Sequence, residues 1–182
     1  KMSCLSAVSI AQYFNLGSFS FLSHCHIGRY VSIGSRVSIG GLNHPIDWLS
    51  QCEFQFSDMT DCFGSTLPES DRLQLSSKSS NRVTIENDVW IGDNSVVLSG
   101  VSLPTGTIVG AGSVVTKSPQ HPFTIIVGNP ARHLRFRFTP EVISCILDSK
   151  WWLKDLEQLS GGIPFNDPLA AVHSLSTTSD YT

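Results

Sequence analysis

The sequence predicts an all-β domain, a parallel β-helix solenoid with one inserted loop and a C-terminal α-helix. Three coincident six-residue periodicities between Val83 and Lys117 lead to that fold. Counted from Ile85, the first residue of each block is Ile85, Ile91, Val97, Leu103, Val109 and Val115, apolar every time. The fourth position reads Asp88, Asn94, Gly100, Gly106 and Gly112, residue types that tolerate a left-handed backbone, and then Ser118. The fifth is Val89, Ser95, Val101, Thr107 and Ser113, always small or β-branched. A period of six suits neither an amphipathic helix nor a half-buried strand. It suits short strands, each followed by a tight corner, stacked coil upon coil. The first-position aliphatics then fill the interior, each contributing roughly 1.5–3 kcal/mol when fully buried. The fourth position turns the corner, and the fifth must be small because it sits beside that corner inside a narrow tube. An antiparallel sandwich is the competing reading, but its turns recur about every 8–12 residues.

In chain order, residues 1–20 fit no clear register; Val8 and Ile10 alternate like a strand, and an irregular first coil is expected. From Phe21 the period is visible in Phe21, Ile27, Ile33 and Ile39, with Cys25, Val31 and Val37 in the fifth position. It then breaks, because the interval from Ile39 to Ile85 is not a multiple of six. Residues 41–82 are therefore an insertion. Long loops in compact domains are usually functional, and this one holds too many aromatics for a disordered linker. It reads as a folded excursion whose last third, around Ser76–Asn81, is the more mobile part. After Lys117 the period stops, and Phe123–Val127 reads as a last strand before the Gly128-Asn129-Pro130 turn. Arg132, Arg135 and Arg137 form a basic patch. Thr139-Pro140-Glu141 is a helix start: N-cap, proline in the first turn, acid at the positive end of the dipole. Val142, Ile143, Ile146, Leu147 and Trp151 supply an apolar face, which is expected to cap the open end of the solenoid. The organisation is thus a β-helix domain over 1–138, a helix over 139–159, and a flexible tail over 160–182.

The chain has 182 residues, a net charge of −3 and five cysteines. Such a charge gives no basic field, which argues against a nucleic-acid partner. An odd cysteine count without a CxxC pair argues for reduced thiols and a cytoplasmic protein. No apolar run approaches the roughly 20 residues that span a bilayer, and no signal peptide is visible, so no membrane insertion is expected.

Val89-Trp90-Ile91-Gly92, Gly110-Ala111-Gly112-Ser113-Val114-Val115-Thr116-Lys117 and Val127-Gly128-Asn129-Pro130-Ala131 together resemble the hexapeptide-repeat acyltransferases. Within them, the chain is most similar to the xenobiotic and CatB-related O-acetyltransferase branch, over roughly residues 20 to 158. The resemblance implies a left-handed coil, a homotrimer with sites between subunits, and acetyl-CoA as acyl donor. Residue spacing does not show the hand, and the usual crossover rule would have given the opposite one. One departure is Val127-Gly128 before Asn129-Pro130, where the family usually has two glycines.

Asn43-His44-Pro45-Ile46-Asp47-Trp48 matches the family's catalytic segment, which implies His44 as the general base that deprotonates an acceptor hydroxyl. Imidazole suits the task because a large share of it is neutral near pH 7. A loop histidine without a task is the plain alternative. Asp47 and Glu53 are nearby carboxylates that orient the imidazole or bind acceptor hydroxyls, or are solvated loop acids; Asp47 is preferred as part of the matching segment. Trp90, in the sixth position, points outward, either to a neighbouring subunit or as a wall of the site, and the resemblance favours contact near the thioester. Small residues leave room for a pantetheine arm along the coils, which makes Gly92, Ser99, Gly110 and Ala111 cofactor candidates, although glycine also suits plain corners. Lys117 and Arg132, with Arg135 as an addition, are placed to neutralise CoA phosphates; the resemblance implies Thr116, Lys117 and Arg132 as CoA contacts. The expected activity is transfer of acetyl to a hydroxyl, by wording of the His44 segment closer to saccharide than to antibiotic acceptors. Chloramphenicol- or streptogramin-type antibiotics and sugar amines are the alternatives. A β-helix metal enzyme using His24 and His26, which flank the inward Cys25, lacks a third ligand, so no metal is expected. A non-catalytic scaffold differs from all of these by neither hydrolysing nor transferring acetyl-CoA.

Overall fold

In the computed structural model, which describes residues 3–75 and 81–177, the six-residue blocks wind into a three-faced prism. The hand is left. The first coil holds β1 (Cys4–Ile10) and β2 (Asn15–Leu16), and the second β3 (Phe21–Ile27) and β4 (Ser32–Ile33). β5 (Ser38–Ile39) opens the third coil, and after the insertion β6 (Val83–Ile85) and β7 (Trp90–Ile91) complete it. The fourth is β8 (Val96–Val97), β9 (Ser102–Leu103) and β10 (Ile108–Val109). The last is β11 (Val114–Val115) and β12 (Thr124–Val127). One face stacks the starts of β1 and β3 with β5, β8 and β11; a second stacks their ends with β6 and β9; a third stacks β2, β4, β7, β10 and β12. All of these pairings are parallel, which excludes the sandwich.

Burial follows the blocks. Ile85, Ile91, Val97, Leu103, Val109 and Val115 are each at most 1% exposed, and the fifth-position residues Val89, Ser95, Val101, Thr107 and Ser113 at most 3%. Asp88, Asn94, Gly100, Gly106 and Gly112 all adopt φ between 53° and 79°. Ser118 is not among the positive-φ corners.

The first coils correct the sequence reading. Residues 4–16 are regular, paired with the second coil at an offset of 17 residues. Their corners are Ala7, Tyr13 and Phe19, and those of the next coil His24, Tyr30 and Arg36, all at positive φ. None of these advertises a corner, so the register was hidden. The step at His24 is one residue short, which turns Phe21 outward and makes Leu22 the buried residue. His24 consequently sits on an edge rather than on one face with His26. Between them Cys25 is fully buried, and burial pushes its thiol up to about 11. Cys25 should therefore escape alkylation in the folded protein at pH 8 and label only in denaturant, as peptide mass spectrometry would report. Labelling at the rate of exposed Cys62 would contradict this inward placement.

Cys25 pairs with Val83, 58 residues on, against 18 between Thr84 and Ser102, so about forty residues leave the third coil at one edge. This insertion contains the short helix α1 (Thr60–Phe63) and an Asp58–Arg72 ion pair at 3.2 Å. The expectation of greater mobility in its last third falls largely on residues outside the described ones.

β13 (Arg132–Phe136) returns antiparallel to β12 and covers the end of the third face. Helix α2 (Pro140–Ser149) begins as the sequence suggests, with Thr139 at the N-cap and Pro140 in the first turn. The Thr139 hydroxyl makes no cap bond; it meets Glu141, whose carboxyl is held low chiefly by its own backbone N–H and then by Thr139. α2 does not close the open end. It lies along the edge between the second and third faces, where Ile146 and Trp152 pack with Phe123, Phe138 and Tyr30. Positive-φ corners explain the choice, because they turn Tyr13 and Tyr30 outward into a stack 4.6 Å apart. Tyr30 Oη donates to the Lys154 carbonyl at 2.7 Å, and Arg29 pairs with Asp155. Arg137 bridges from this edge to Asp88 Oδ2 at 2.8 Å and the Gly106 carbonyl at 2.9 Å. Burial pushes the Asp88 carboxyl above its ordinary value, and Arg137 opposes the shift. The expected flexible tail is also corrected: Pro168–Thr177 is a helix, α3, packed on α2 with Ala171 and Leu175 buried.

Candidate functional site

The insertion leaves the prism at Gly40 and Gly41, both at positive φ, and His44 follows three residues later. Its Nδ1 lies 2.6 Å from the Gln51 carbonyl oxygen. A carbonyl can only accept, so Nδ1 carries the proton of the neutral ring and the lone pair resides on Nε2. Glu53 Oε1 stands 3.6 Å from Nε2, too far for a hydrogen bond. Phe56 holds an edge contact to both His44 and Trp48, with centroids 6.1 Å and 6.2 Å away. Gln55 Nε2 ties the turn by donating to the Ser50 carbonyl at 2.6 Å. The carboxylate beside the imidazole is thus Glu53. Asp47, preferred from the sequence, is exposed and shares no hydrogen bond or ion pair with His44 among the described residues. Gln51 was invisible beforehand because it acts through its backbone.

The other candidates are distributed round the prism. Trp90 is 52% exposed on the third face, in register with Ser32 and Ile108. Gly92 and Gly110 stand on the edge between the third and first faces, where the next coil already demands their smallness. A Cβ would meet Ala111 N at 2.6 Å in one case and Val127 Cγ1 at 2.7 Å in the other. Ala111 is exposed beside them. Ser99 is engaged at the edge where the insertion returns, its Oγ donating to the Asn81 carbonyl at 2.8 Å. Exposed Thr116 precedes Lys117 on that edge, one coil further. Lys117 and Arg132 are brought together: both line a cavity of about 640 Å³ at the open end of the solenoid, with His121, His133 and Phe136. Arg135 is not among its lining residues. His133 and Phe136, which β13 brings to this cavity beside Arg132, were not singled out from the sequence.

Residues 82–117 match the model of the bacterial transferase hexapeptide, six repeats. A chloramphenicol acetyltransferase of Klebsiella aerogenes is 38% identical over 141 residues, 76% of this chain and 63% of that protein. A probable macrolide acetyltransferase of Lysinibacillus sphaericus is 33% identical over 132 residues, 69% of this chain and 67% of that protein. The chain belongs to the hexapeptide-repeat acyltransferases. It spans slightly under two thirds of the chloramphenicol acetyltransferases it matches, 63% and 64% for those of Klebsiella aerogenes and Escherichia coli. Among solved structures, a point mutant of AntD, an N-acyltransferase of Bacillus cereus, shares the fold with a TM-score of 0.57. It does so at 21% identity over 81% of this chain and 74% of that one.

The interior of the coils is closed, filled by aliphatic side chains together with Cys25, Ser95, Thr107 and Ser113. Among the described residues no group of three or more His, Cys, Asp or Glu side chains is placed to hold a metal. No helix among them is long and apolar enough to cross a membrane.

Proposed function

We propose that this chain is an acetyltransferase that moves acetyl from acetyl-CoA to an acceptor hydroxyl, with His44 as general base. The observation that carries the reading is the Nδ1–Gln51 contact, which leaves the basic nitrogen of an exposed imidazole free. Nε2 takes the hydroxyl proton as the acceptor oxygen attacks the thioester carbonyl carbon. The C–S bond then breaks, and CoA leaves as a thiol after receiving the proton from the imidazolium. Glu53 favours the transient imidazolium, while Asp47 remains available to acceptor hydroxyls.

Trp90 lies on one face, and Gly92, Ser99, Gly110, Ala111 and Thr116 on two edges, of one prism, and this scatter supports a site shared between subunits of a homotrimer. In such an assembly the loop of one subunit meets the Trp90 face of the next, and the pantetheine arm runs along the coils between them. Lys117 and Arg132, on one cavity, take the CoA phosphates. Reduced cysteines and an acetyl-CoA donor fit a cytoplasmic setting. Replacing Lys117 and Arg132 together by Ala should raise the KM for acetyl-CoA, and added salt should mimic this in the parent. An unchanged KM in the double variant would place the phosphates elsewhere.

The acceptor we favour is a saccharide hydroxyl, for the wording of the His44 segment. Similarity to the O-acetyl transferase WbbJ of Escherichia coli, a putative lipopolysaccharide biosynthesis protein 33% identical over 129 residues, supports it. The antibiotic reading has its own support in the chloramphenicol acetyltransferase relatives and in Ile46 and Leu49, 92% and 104% exposed on the loop. Thiol release from acetyl-CoA across sugars, sugar nucleotides, chloramphenicol and streptogramins tests both. Release with saccharides alone supports the first reading, and release with antibiotics alone replaces it.

A further inference from the structure

The edge from which the His44 loop departs carries a second group of polar side chains, one coil closer to the N-terminus. His24 turns this edge at φ 47°, His26 follows on the second face, and Arg82 is the residue at which the insertion re-enters the prism. His24, His26 and Arg82 are exposed. A cavity of about 300 Å³ lies against Ala7, Val8, His24 and Arg82.

The Arg82 hydrogen bonds have a direction. Arg82 Nη2 donates to Ser9 Oγ at 2.8 Å and, more weakly, to the Cys25 carbonyl at 3.4 Å. Ser9 Oγ also lies 2.9 Å from His26 Nδ1, donating or accepting according to the ring's tautomer. Where the hydroxyl donates, the neutral His26 ring bears its proton on Nε2. Ser23 Oγ lies 3.0 Å from His24 Nδ1. The edge thus presents a guanidinium donor and two imidazole rings, each of which donates from Nε2 in its Nε2–H tautomer or when protonated. Among the described residues, no carboxylate pairs with Arg82, His24 or His26. Such a set of donors is complementary to an anion.

We propose that His24, His26 and Arg82 form a subsite for an anionic group, carboxylate or phosphate, on the acceptor. Its place relative to the base follows from chain length. A Cβ on Gly40 would strike the Ser23 carbonyl, so Gly40 lies directly over the residue before His24. His44, four residues beyond Gly40, is held within about 14 Å of that point. An acceptor anchored by its charge on this edge therefore presents a hydroxyl toward the loop that carries the base. The description of the ligand as an acceptor rests on the acetyltransferase reading; the anion site itself does not.

The test is a titration of the ¹⁵N-labelled full chain with inorganic phosphate and, separately, with glucuronate, followed by imidazole ¹H–¹⁵N correlations. His24 and His26 should shift saturably with at least one anion, and neither should respond to glucose. Arg82→Gln, which keeps a donor for Ser9, should weaken that binding about tenfold or more with an unchanged melting curve. His26→Ala, which removes the Nε2 donor altogether, should weaken it independently. Phosphate binding alone indicates a phosphorylated acceptor, and glucuronate binding alone an acidic sugar. No saturable shift with either anion, an equal response to glucose, or undiminished binding in both variants would overturn the subsite. Anion binding without any acetyl transfer would uphold the subsite and remove the acceptor reading. Acetyl transfer without anion binding would do the reverse.

Discussion

Gly106→Val should lower the melting temperature by roughly 5–15 °C, whereas Thr107→Val, one residue on, should lower it by no more than about 5 °C. Two costs add at Gly106. Its φ is 74°, where a β-branched residue is strained by about 1–2 kcal/mol or more. A Cβ there would also strike the ring of Phe123, which is 1% exposed and wedged beneath the C-terminal helices, and displacing it adds about 1–3 kcal/mol. Thr107 is buried, and its Oγ1 donates to the Pro104 carbonyl at 2.6 Å. Valine fills the same space and loses that bond, worth about 0.5–1.5 kcal/mol. The Pro104 carbonyl is not orphaned, because Thr107 N also donates to it at 3.1 Å. Equal melting of the two variants would mean that Gly106 is not the corner.

The contrast between these neighbours shows why the fold was legible in one half of the solenoid and not in the other. From Asp88 to Gly112 the corners are built from residues that enter the left-handed region at little cost, so the backbone's need is written in the side chains. In the first coils the same conformation is imposed on Tyr13, Phe19, Tyr30 and Arg36. For Tyr13 and Tyr30, stacking on each other and of Tyr30 on the cluster around α2 outweighs a local cost of about 1 kcal/mol each. Sequence shows local preference, and these corners are set by tertiary contacts. The placement of α2 was hidden for the same reason: its apolar face was readable, but its partners are outward tyrosines at corners that could not be seen. The one-residue shortening at His24 likewise reassigned Phe21 and Leu22 without leaving a mark.

The candidate site divides similarly. His44 stood out because its segment matches a known pattern, and the basic pair Lys117 and Arg132, separated in sequence, do meet on one cavity. Glu53 was indistinguishable from Asp47 because the choice depends on how the loop curls. The turn at Glu53–Gln55 and the bond from Gln55 to the Ser50 carbonyl bring back a residue nine positions beyond His44, rather than one three positions away. Gly92 and Gly110 serve coil stacking, a requirement that the sequence does not separate from room for a ligand.

The proposed chemistry stands on His44, and its removal has the largest expected effect on rate. His44→Ala should lower kcat by roughly 10²–10⁴-fold, the usual contribution of a general base. KM for acetyl-CoA should hardly change, because the base acts on the acceptor's proton. His44→Asn keeps polarity and much of the size without the basic nitrogen, so it should be nearly as inactive. The acid limb of the pH–rate profile reports protonation of the base in the free enzyme, and it should vanish from the residual activity of both variants. Glu53→Gln should cost less, about tenfold or below, because a half-exposed carboxylate 3.6 Å away stabilises an imidazolium only weakly. Melting curves should be unchanged, since the His44 side chain is 42% exposed and its partners lie within the insertion. A folded His44→Ala protein that keeps more than about a tenth of parental kcat would remove the histidine from the chemistry. Such a result would leave acetyl transfer itself standing, with the base to be sought along the edge that carries His24.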